Sequence, residues 1–129
     1  MRYPLDELID KRSIIQLKIE RINCDEDRAR LKKEYQDYTA AMEEYISEGV
    51  CRSEDAENWH KQLYEANGKI WDLESVIRQG KDGEISLEET GRRAIEIRKS
   101  NAVRVGIKSS IVEKIGRGYK DIKINHASV

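Results

Sequence analysis

The sequence predicts an all-α protein in which long antiparallel helical hairpins form a four-helix, bundle-like domain. Its composition is the first observation behind this prediction. Charged and hydrophobic residues each account for 38% of the 129 residues, with one proline and no phenylalanine, which is typical of long amphipathic helices. The second observation is that apolar residues recur in alternating steps of three and four. The third is a set of helix start and stop signals that divides the chain into four segments.

The first two helices are delimited by proline, acidic and glycine residues. A helix over about residues 4–22 begins with Pro4, which suits a first helical turn. A second helix is expected over about residues 25–47, with Asp25 at its start and Gly49 just beyond its end. These signals predict the first half of the bundle.

The last two helices have clear starts as well. The third is expected over about residues 54–79, capped by Ser53. The fourth is expected over about residues 87–115, where Ser86 and Glu89 have the spacing of a capping box. The alternating steps of three and four along these helices are those of helices that cross at about 20° in hairpins and bundles.

A chain of this length has room for one domain with a modest core. The helical domain is expected over residues 1–116, followed by a C-terminal tail over residues 117–129. A short extended segment is predicted in the tail around Ile122 and Ile124. No apolar run approaches the roughly 20 residues that cross a bilayer, so the sequence predicts no membrane partner.

The first helix also predicts self-association. Its main apolar stripe leaves Ile14 and Leu17 on other faces, and a helix that is apolar on several sides is usually buried on several sides. Helices of more than 20 residues are, in addition, hard to bury within one chain of this size. We therefore expect a homo-oligomer, formed through the first helix and one of the long hairpin helices.

Charge is distributed unevenly along the chain. Residues 92–129 hold ten bases and three acids, a net charge of +7, whereas the rest holds 14 bases and 22 acids, a net charge of −8. Compensation within the chain is the favoured interpretation, and a surface for an anionic partner is the alternative. The pI of about 6.2 and the single aromatic residue of the basic segment, Tyr119, do not favour nucleic-acid binding.

Cys24 and Cys51 have no metal-type spacing, which indicates free thiols in a cytoplasmic protein.

Polar residues border the apolar stripes of three predicted helices and form the candidate ligand site. One interpretation is an internal ion-pair network. The other is a cleft in which Arg and Lys bind a phosphate or carboxylate while Trp71 stacks on a ring. Cations outnumber acids in these rows, which favours a ligand. The nine candidate residues are Lys11, Lys18, Asn67, Trp71, Glu74, Arg78, Asn101, Arg104 and Lys108.

The same positions carry a resemblance to a known family. The sequence resembles an uncharacterised family of small helical proteins from bacteria and their phages in about half of its length. The matching blocks are Asp10-Lys11 with Lys18-x-Glu20-Arg21-Ile22, Asn67-x-x-Ile70-Trp71-x-x-Glu74-x-x-Ile77-Arg78, and Arg98-x-x-Asn101-x-x-Arg104-x-x-x-Lys108. The resemblance implies an all-helical fold and no established activity.

Three functions remain open at this stage. The leading hypothesis is a non-enzymatic oligomeric protein that binds an anionic small molecule, most plausibly a nucleotide or a nucleotide-like signal. Such a protein could be encoded by a phage and sequester the signal in the host cytoplasm. A structural or adaptor bundle is the second. The third is a Mg²⁺-dependent helical nucleotide pyrophosphohydrolase, for which Glu54-x-x-Glu57 and Glu7-x-x-Asp10 have suitable spacing. Both pairs lie in first helical turns, where acids are common for dipole reasons. The sequence points to no catalytic residue, metal ligand or cofactor.

Overall fold

Four helices make up the fold of the computed structural model, as the sequence predicts. The structure describes residues 3–80 and 86–127, with side chains for 3–78 and 86–116. Within these ranges there is no β-strand. The helices are α1 (Leu5–Arg21), α2 (Asp25–Ser47), α3 (Ser53–Gly80) and α4 (Leu87–Ala127). The protein is therefore an all-α, bundle-like domain.

Local signals explain most of the helix ends. Gly49, at φ 77°, takes the left-handed conformation that turns the chain from α2 into α3. The backbone N–H of Glu89 donates to Oγ of Ser86 over 3.1 Å, so Ser86 caps α4 as predicted. The Glu89 carboxylate does not complete a capping box, because it pairs with Arg92 at 3.0 Å and Arg93 at 3.1 Å.

Helix α4 continues beyond Gly116 to Ala127, further than its predicted end near residue 115. The division into a helical domain over residues 1–116 and a tail over residues 117–129 stays a prediction. The extended segment expected around Ile122 and Ile124 is helical too. A glycine inside a helix costs about 1 kcal/mol relative to alanine but does not end the helix unless it adopts positive φ. In the described part of the chain, Gly49 alone does so.

Helix α1 occupies the centre of the fold. It packs against α2, α3 and α4, whereas α2 makes few contacts with any helix except α1. Helix α2 runs antiparallel to α1, because Arg12 contacts Thr39 while the carbonyl of Ile22 contacts the earlier Arg28. Helix α4 is antiparallel to α1 as well, since Asp10 pairs with Arg104 and Glu7 pairs with the later Lys108. Apolar residues on several faces of α1 are therefore covered within one chain; Leu17, for example, is 1% exposed. The expected homo-oligomer stays a prediction, but this feature of α1 no longer requires it.

The apolar core lies at the end of the bundle where α1 begins and α2 ends. Its most buried members come from all four helices: Leu8, Ile9, Met42, Leu63 and Ile111, each at most 2% exposed. At the opposite end, Arg21 closes α1 by pairing with Asp72 of α3. No described residue of α3 after Asp72, nor any in the first 13 residues of α4, is fully buried. The hairpin of α3 and α4 therefore extends beyond the region in which these two helices pack against α1.

Acids of the other helices compensate part of the basic α4. Lys108 pairs with Glu7 of α1 at 2.7 Å, and Lys114 pairs with Asp55 of α3 at 3.0 Å. Charge compensation within the chain, the favoured interpretation of the sequence, thus accounts for these cations.

None of the helices in the described ranges combines the length and the apolar character needed to cross a membrane.

Candidate functional site

A buried carboxylate organises the polar residues between α1, α3 and α4. Asp10 of α1 is 2% exposed. Its Oδ1 accepts hydrogen bonds from Nδ2 of Asn67 at 2.9 Å and Nε of Arg104 at 3.0 Å, and its Oδ2 accepts one from Nη2 of Arg104 at 2.5 Å. Ser13 joins the group by donating to the Asp10 carbonyl and accepting from Asn67. We call Asp10, Ser13, Asn67 and Arg104 the Asp10 network.

A second ion pair lies beside the Asp10 network. Nζ of Lys108 is 2.7 Å from Oε1 of Glu7 and 3.9 Å from Oδ2 of Asp10. At the outer edge, Oδ1 of Asn101 accepts a hydrogen bond of 3.3 Å from Arg104. Two cations of α4 therefore meet two acids of α1. Glu7 and Asp10 do not belong to the polar residues that border the apolar stripes in the sequence. Cations therefore outnumber acids among those polar residues.

The environment of Asp10 keeps the ion pair charged. Burial by itself raises the pKa of the Asp10 carboxyl, but hydrogen bonds from Arg104 and Asn67 and the charges of Arg104 and Lys108 outweigh it, so that the pKa is lowered. The hydrogen bond to Asp10 raises the pKa of Arg104 in turn, against the effect of its burial. At neutral pH the network is thus a carboxylate with its cation in place.

The remaining candidate residues do not join this group. The Trp71 ring lies 5.7 Å from the guanidinium carbon of Arg21, towards the far end of α1. Arg78 donates to Oγ of Ser75 on its own helix at 3.1 Å, and Glu74 is exposed. The structure therefore brings together Asn67, Arg104 and Lys108, with Asn101 at their edge, and separates them from the aromatic ring predicted to stack on a ligand.

Lys11 and Lys18 occupy a different face of α1. They are seven residues apart, so they point in nearly the same direction from the helix. Their neighbours contact other helices: Arg12 bonds to α2, Gln16 to α3 and Glu7 to α4. Lys11 and Lys18 therefore lie on the side of α1 between α2 and α4. Nζ of Lys11 is 5.1 Å from the centre of the Tyr3 ring, and no described residue forms an ion pair with Lys18.

A second buried polar cluster, between α1, α2 and α3, was not predicted. Arg12 is 5% exposed, donates from Nε to Oγ1 of Thr39 at 2.9 Å and stacks 4.7 Å from the centre of the Tyr35 ring. His60 is 6% exposed, and its Nε2 lies 2.6 Å from Oε1 of Gln16. Because Gln16 presents its carbonyl oxygen, Nε2 carries the proton and Nδ1 does not. Burial, together with the charge of Arg12, lowers the pKa of His60 to about 4.

One sequence signal could have revealed Arg12. The apolar stripe of α1 includes Leu5, Leu8, Ile15 and Ile19, and its alternating steps of three and four leave one position empty between Leu8 and Ile15. Arg12 fills that position. A charged residue at the central position of an otherwise apolar stripe predicts a buried cation with a specific partner.

Three of the four acids in the proposed magnesium pairs are engaged with cations. Glu7 and Asp10 bind Lys108 and Arg104, and Oε1 of Glu57 lies 3.6 Å from Nη2 of Arg12. Glu54 is exposed. Among the described side chains, those of residues 3–78 and 86–116, no three of the types His, Cys, Asp or Glu come together in a way that could hold a metal ion.

An open groove runs along α4 beside the start of α1. It measures about 390 Å³ and is lined by acidic residues, Asp6, Glu7 and Glu113, and by the apolar side chains of Val105 and Val112. A second hollow of about 350 Å³, with Pro4 and Tyr45 among its lining residues, continues past Val112 towards Gly116. Neither groove contains the Asp10 network.

Comparison with known proteins finds no match: no family model, no curated protein and no solved structure matches the chain.

Proposed function

We propose that this protein is a non-enzymatic helical interaction protein, an adaptor whose polar network holds three helices in register. The observation that carries the proposal is that the Asp10 network is satisfied within the chain. Both carboxylate oxygens of Asp10 and the amide nitrogen of Asn67 have their partners in α1, α3 and α4. These groups are occupied with each other, which leaves little capacity for an anionic ligand.

Such a network favours one arrangement of helices over others. A buried ion pair contributes little net stability compared with apolar packing, but an arrangement that separates its members leaves a charge buried without a partner. Shifting α4 by one turn along α1 would separate Arg104 from Asp10. The pair therefore selects the register of α4 and keeps its outer face in a constant position for a partner.

Binding of an anionic small molecule is the second candidate function, and one observation favours it. Lys11 and Lys18 lie half-buried on the side of α1 between α2 and α4, and no acid of the described chain pairs with Lys18. Two lysines about 10 Å apart along a helix, each with a long flexible side chain, suit a ligand that carries several phosphate charges, such as a nucleoside triphosphate. This proposal keeps the idea of a sequestering protein, of phage origin and cytoplasmic in its host, in which Cys24 and Cys51 stay as free thiols.

A thermal-shift experiment separates the two functions. The purified protein is titrated with nucleoside mono-, di- and triphosphates, cyclic nucleotides and inorganic phosphate, with and without Mg²⁺. The adaptor proposal expects no shift. A bound ligand at 100 times its Kd adds about 2.7 kcal/mol to the free energy of unfolding, and such a shift would favour the second function. Lys18→Ala should then abolish it while Lys33→Ala, a change of an exposed lysine on α2, should not.

A product assay addresses the enzyme hypothesis in the same samples. Hydrolysis of a nucleoside triphosphate that depends on Mg²⁺ and is lost in Glu54→Gln would contradict the adaptor proposal. The matched control is Glu65→Gln, a change of an exposed glutamate on α3. We expect no hydrolysis, because three of the four acids in the proposed pairs already bind cations.

A further inference from the structure

The outer face of α4 carries a second heptad stripe, distinct from the one that packs inside the chain. Its members follow one another in alternating steps of four and three, the spacing of a coiled-coil seam. Most are small or apolar, and all except Gly116 are exposed. Ile95, Val105 and Val112 are each more than half exposed. The stripe consists of Gly91, Ile95, Arg98, Ala102, Val105, Ser109, Val112 and Gly116.

Glycines on α4 support the idea that another helix approaches this face. A Cβ atom built on Gly91, Gly106 or Gly116 meets no described atom within 4 Å apart from the nearby backbone of α4 itself. Glycine lowers the stability of a helix relative to alanine, and no neighbour in the described part of the chain requires these three. Gly91 and Gly116 lie on the stripe, and Gly106 borders it. Glycines at a helix surface allow a second backbone to come close.

Charge on this face indicates what covers it. Arg98 is the third of the eight stripe residues and has no hydrogen bond or ion pair with any described residue. The groove beside α4 is acidic, since Asp6, Glu7 and Glu113 line it and Lys108 is its single cation among the lining residues. One copy of the chain therefore offers a cation on a helical seam, and the same surface offers an acidic groove. This arrangement is self-complementary, as a two-fold interface requires.

We propose that two copies of this chain pair through antiparallel α4 helices, with Arg98 of each copy in the acidic groove of the other. One register aligns all eight stripe positions. Ala102 then faces Val105 of the partner subunit, Ile95 faces Val112 of the partner subunit, and Gly91 faces Gly116 of the partner subunit. Arg98 faces Ser109 of the partner subunit, one helical turn from the partner's Glu113.

A parallel pairing of the same stripe is disfavoured by charge. It would place Arg98 directly against the partner's Arg98, and like charges opposite each other are destabilising. The antiparallel pairing places a small residue, serine, opposite each arginine and leaves the arginine free to reach the carboxylates. The inference rests on the proposed function, because it names a second copy as the partner of the adaptor. It centres the expected homo-oligomer contact on α4, one of the long hairpin helices.

Charge reversal in analytical ultracentrifugation tests this interface. The wild-type chain should sediment as a dimer of twice 15.0 kDa. Arg98→Glu places two acids against each other at both symmetric contacts, and Glu113→Lys places two cations there. Each variant alone should weaken the dimer on the order of tenfold or more. The matched control, Lys33→Glu on the exposed side of α2, should leave the mass unchanged.

Mixing the two variants gives the decisive measurement. In a mixed dimer, the acid introduced by Arg98→Glu in one chain meets the base introduced by Glu113→Lys in the other. At the second contact of the same dimer, the unchanged Glu113 and Arg98 meet as they do in the wild type. An equimolar mixture should therefore recover the dimer affinity that each variant alone has lost. Both positions are exposed, and circular dichroism with a melting curve confirms that each variant stays folded.

Three outcomes overturn the inference: a monomeric wild-type chain, a dimer that survives both charge reversals, or a mixture that stays monomeric. An unfolded variant is replaced by Val105→Lys, which places a cation at the centre of the seam and should give a monomer. None of these results depends on nucleotide titration, so a failed dimer and a failed adaptor proposal are told apart. A monomer that binds no nucleotide would leave the adaptor proposal intact with a different partner.

Discussion

Arg104 of α4 donates hydrogen bonds to both carboxylate oxygens of Asp10 in α1, from a position 94 residues later in the chain. This contact joins the central helix to the last one. The Asp10 side chain is 2% exposed and that of Arg104 is 28% exposed. The carboxylate therefore depends on the guanidinium far more than the guanidinium depends on the carboxylate, which makes the effects of changing each residue different.

Arg104→Ala should lower the free energy of unfolding by about 3 kcal/mol, because it leaves the buried Asp10 carboxylate without its cation. Asp10→Asn should cost less, because Arg104 can turn to water while the amide still pairs with Asn67. Urea unfolding measures both values. Arg30→Ala is the control, since Arg30 is 72% exposed in its pair with Asp27 and the change should stay within about 0.5 kcal/mol of wild type. An equally small effect for Arg104→Ala would contradict the role given to the network.

Protonation of His60 should destabilise the protein in mild acid. The pKa of His60 falls from its ordinary 6.5 to about 4 in the folded state, so between these values the unfolded chain binds more protons. Stability is complete above about pH 6.5 and is lost as the pH falls towards 4. At pH 5 the loss amounts to about 2 kcal/mol, from the difference between the two pKa values.

Urea unfolding at pH 7 and pH 5 measures this loss. His60→Gln, which keeps a side-chain donor near Gln16, should remove most of the difference between the two pH values. A wild-type protein as stable at pH 5 as at pH 7 would be inconsistent with a neutral, buried His60. Asp10 does not contribute to the change in stability in this range. Because the pKa of its carboxyl is lowered in the folded state, its contribution to the stability of the protein is lost only below the ordinary pKa of 3.8.

The charge of Arg12 should not be needed for folding, but it should help to keep the pKa of His60 low. Nη1 of Arg12 is buried without a hydrogen-bond partner, and the residue fills an otherwise apolar stripe. Arg12→Met should therefore change the free energy of unfolding by no more than about 1.5 kcal/mol in either direction, because methionine fills similar space without a charge. The same change removes a nearby cation and should raise the pKa of His60, which NMR titration of the His60 ring measures. An unchanged pKa would show that burial alone lowers it.

Gly49 and Gly106 should respond to alanine in opposite directions. Gly49→Ala places a side chain at φ 77° and should cost about 1 kcal/mol. Gly106→Ala meets open space in a helix and should add up to about 1 kcal/mol to the stability of the monomer. Thermal unfolding at low protein concentration compares the two. A gain for Gly49→Ala would show that the turn after α2 does not need the left-handed conformation.

Much of the fold could be predicted because it depends on local chemistry. Helix starts and ends follow from residues such as Ser86 and Gly49, whose side chain or backbone freedom acts within a few positions. The end of α4 was missed because Gly116 resembles a stop signal until its φ is known. Asp10 could not be recognised as the centre of a network, because its burial depends on which helices surround α1. Arg12 was recognisable, since the interruption of an apolar stripe is visible in the letters alone.

The central position of α1 has a consequence for the order of folding. Helix α1 is synthesised before the other three, but the cation that neutralises Asp10 follows 94 residues later and Lys108 follows Glu7 by 101. Helix α2 can fold back on α1 as soon as it emerges from the ribosome, whereas the face that carries Asp10 must wait for α4. Contacts so distant in sequence slow folding. Docking of α4 should therefore be a late step, and a chain that lacks α4 should hold an unneutralised carboxylate on α1 until α4 has been made.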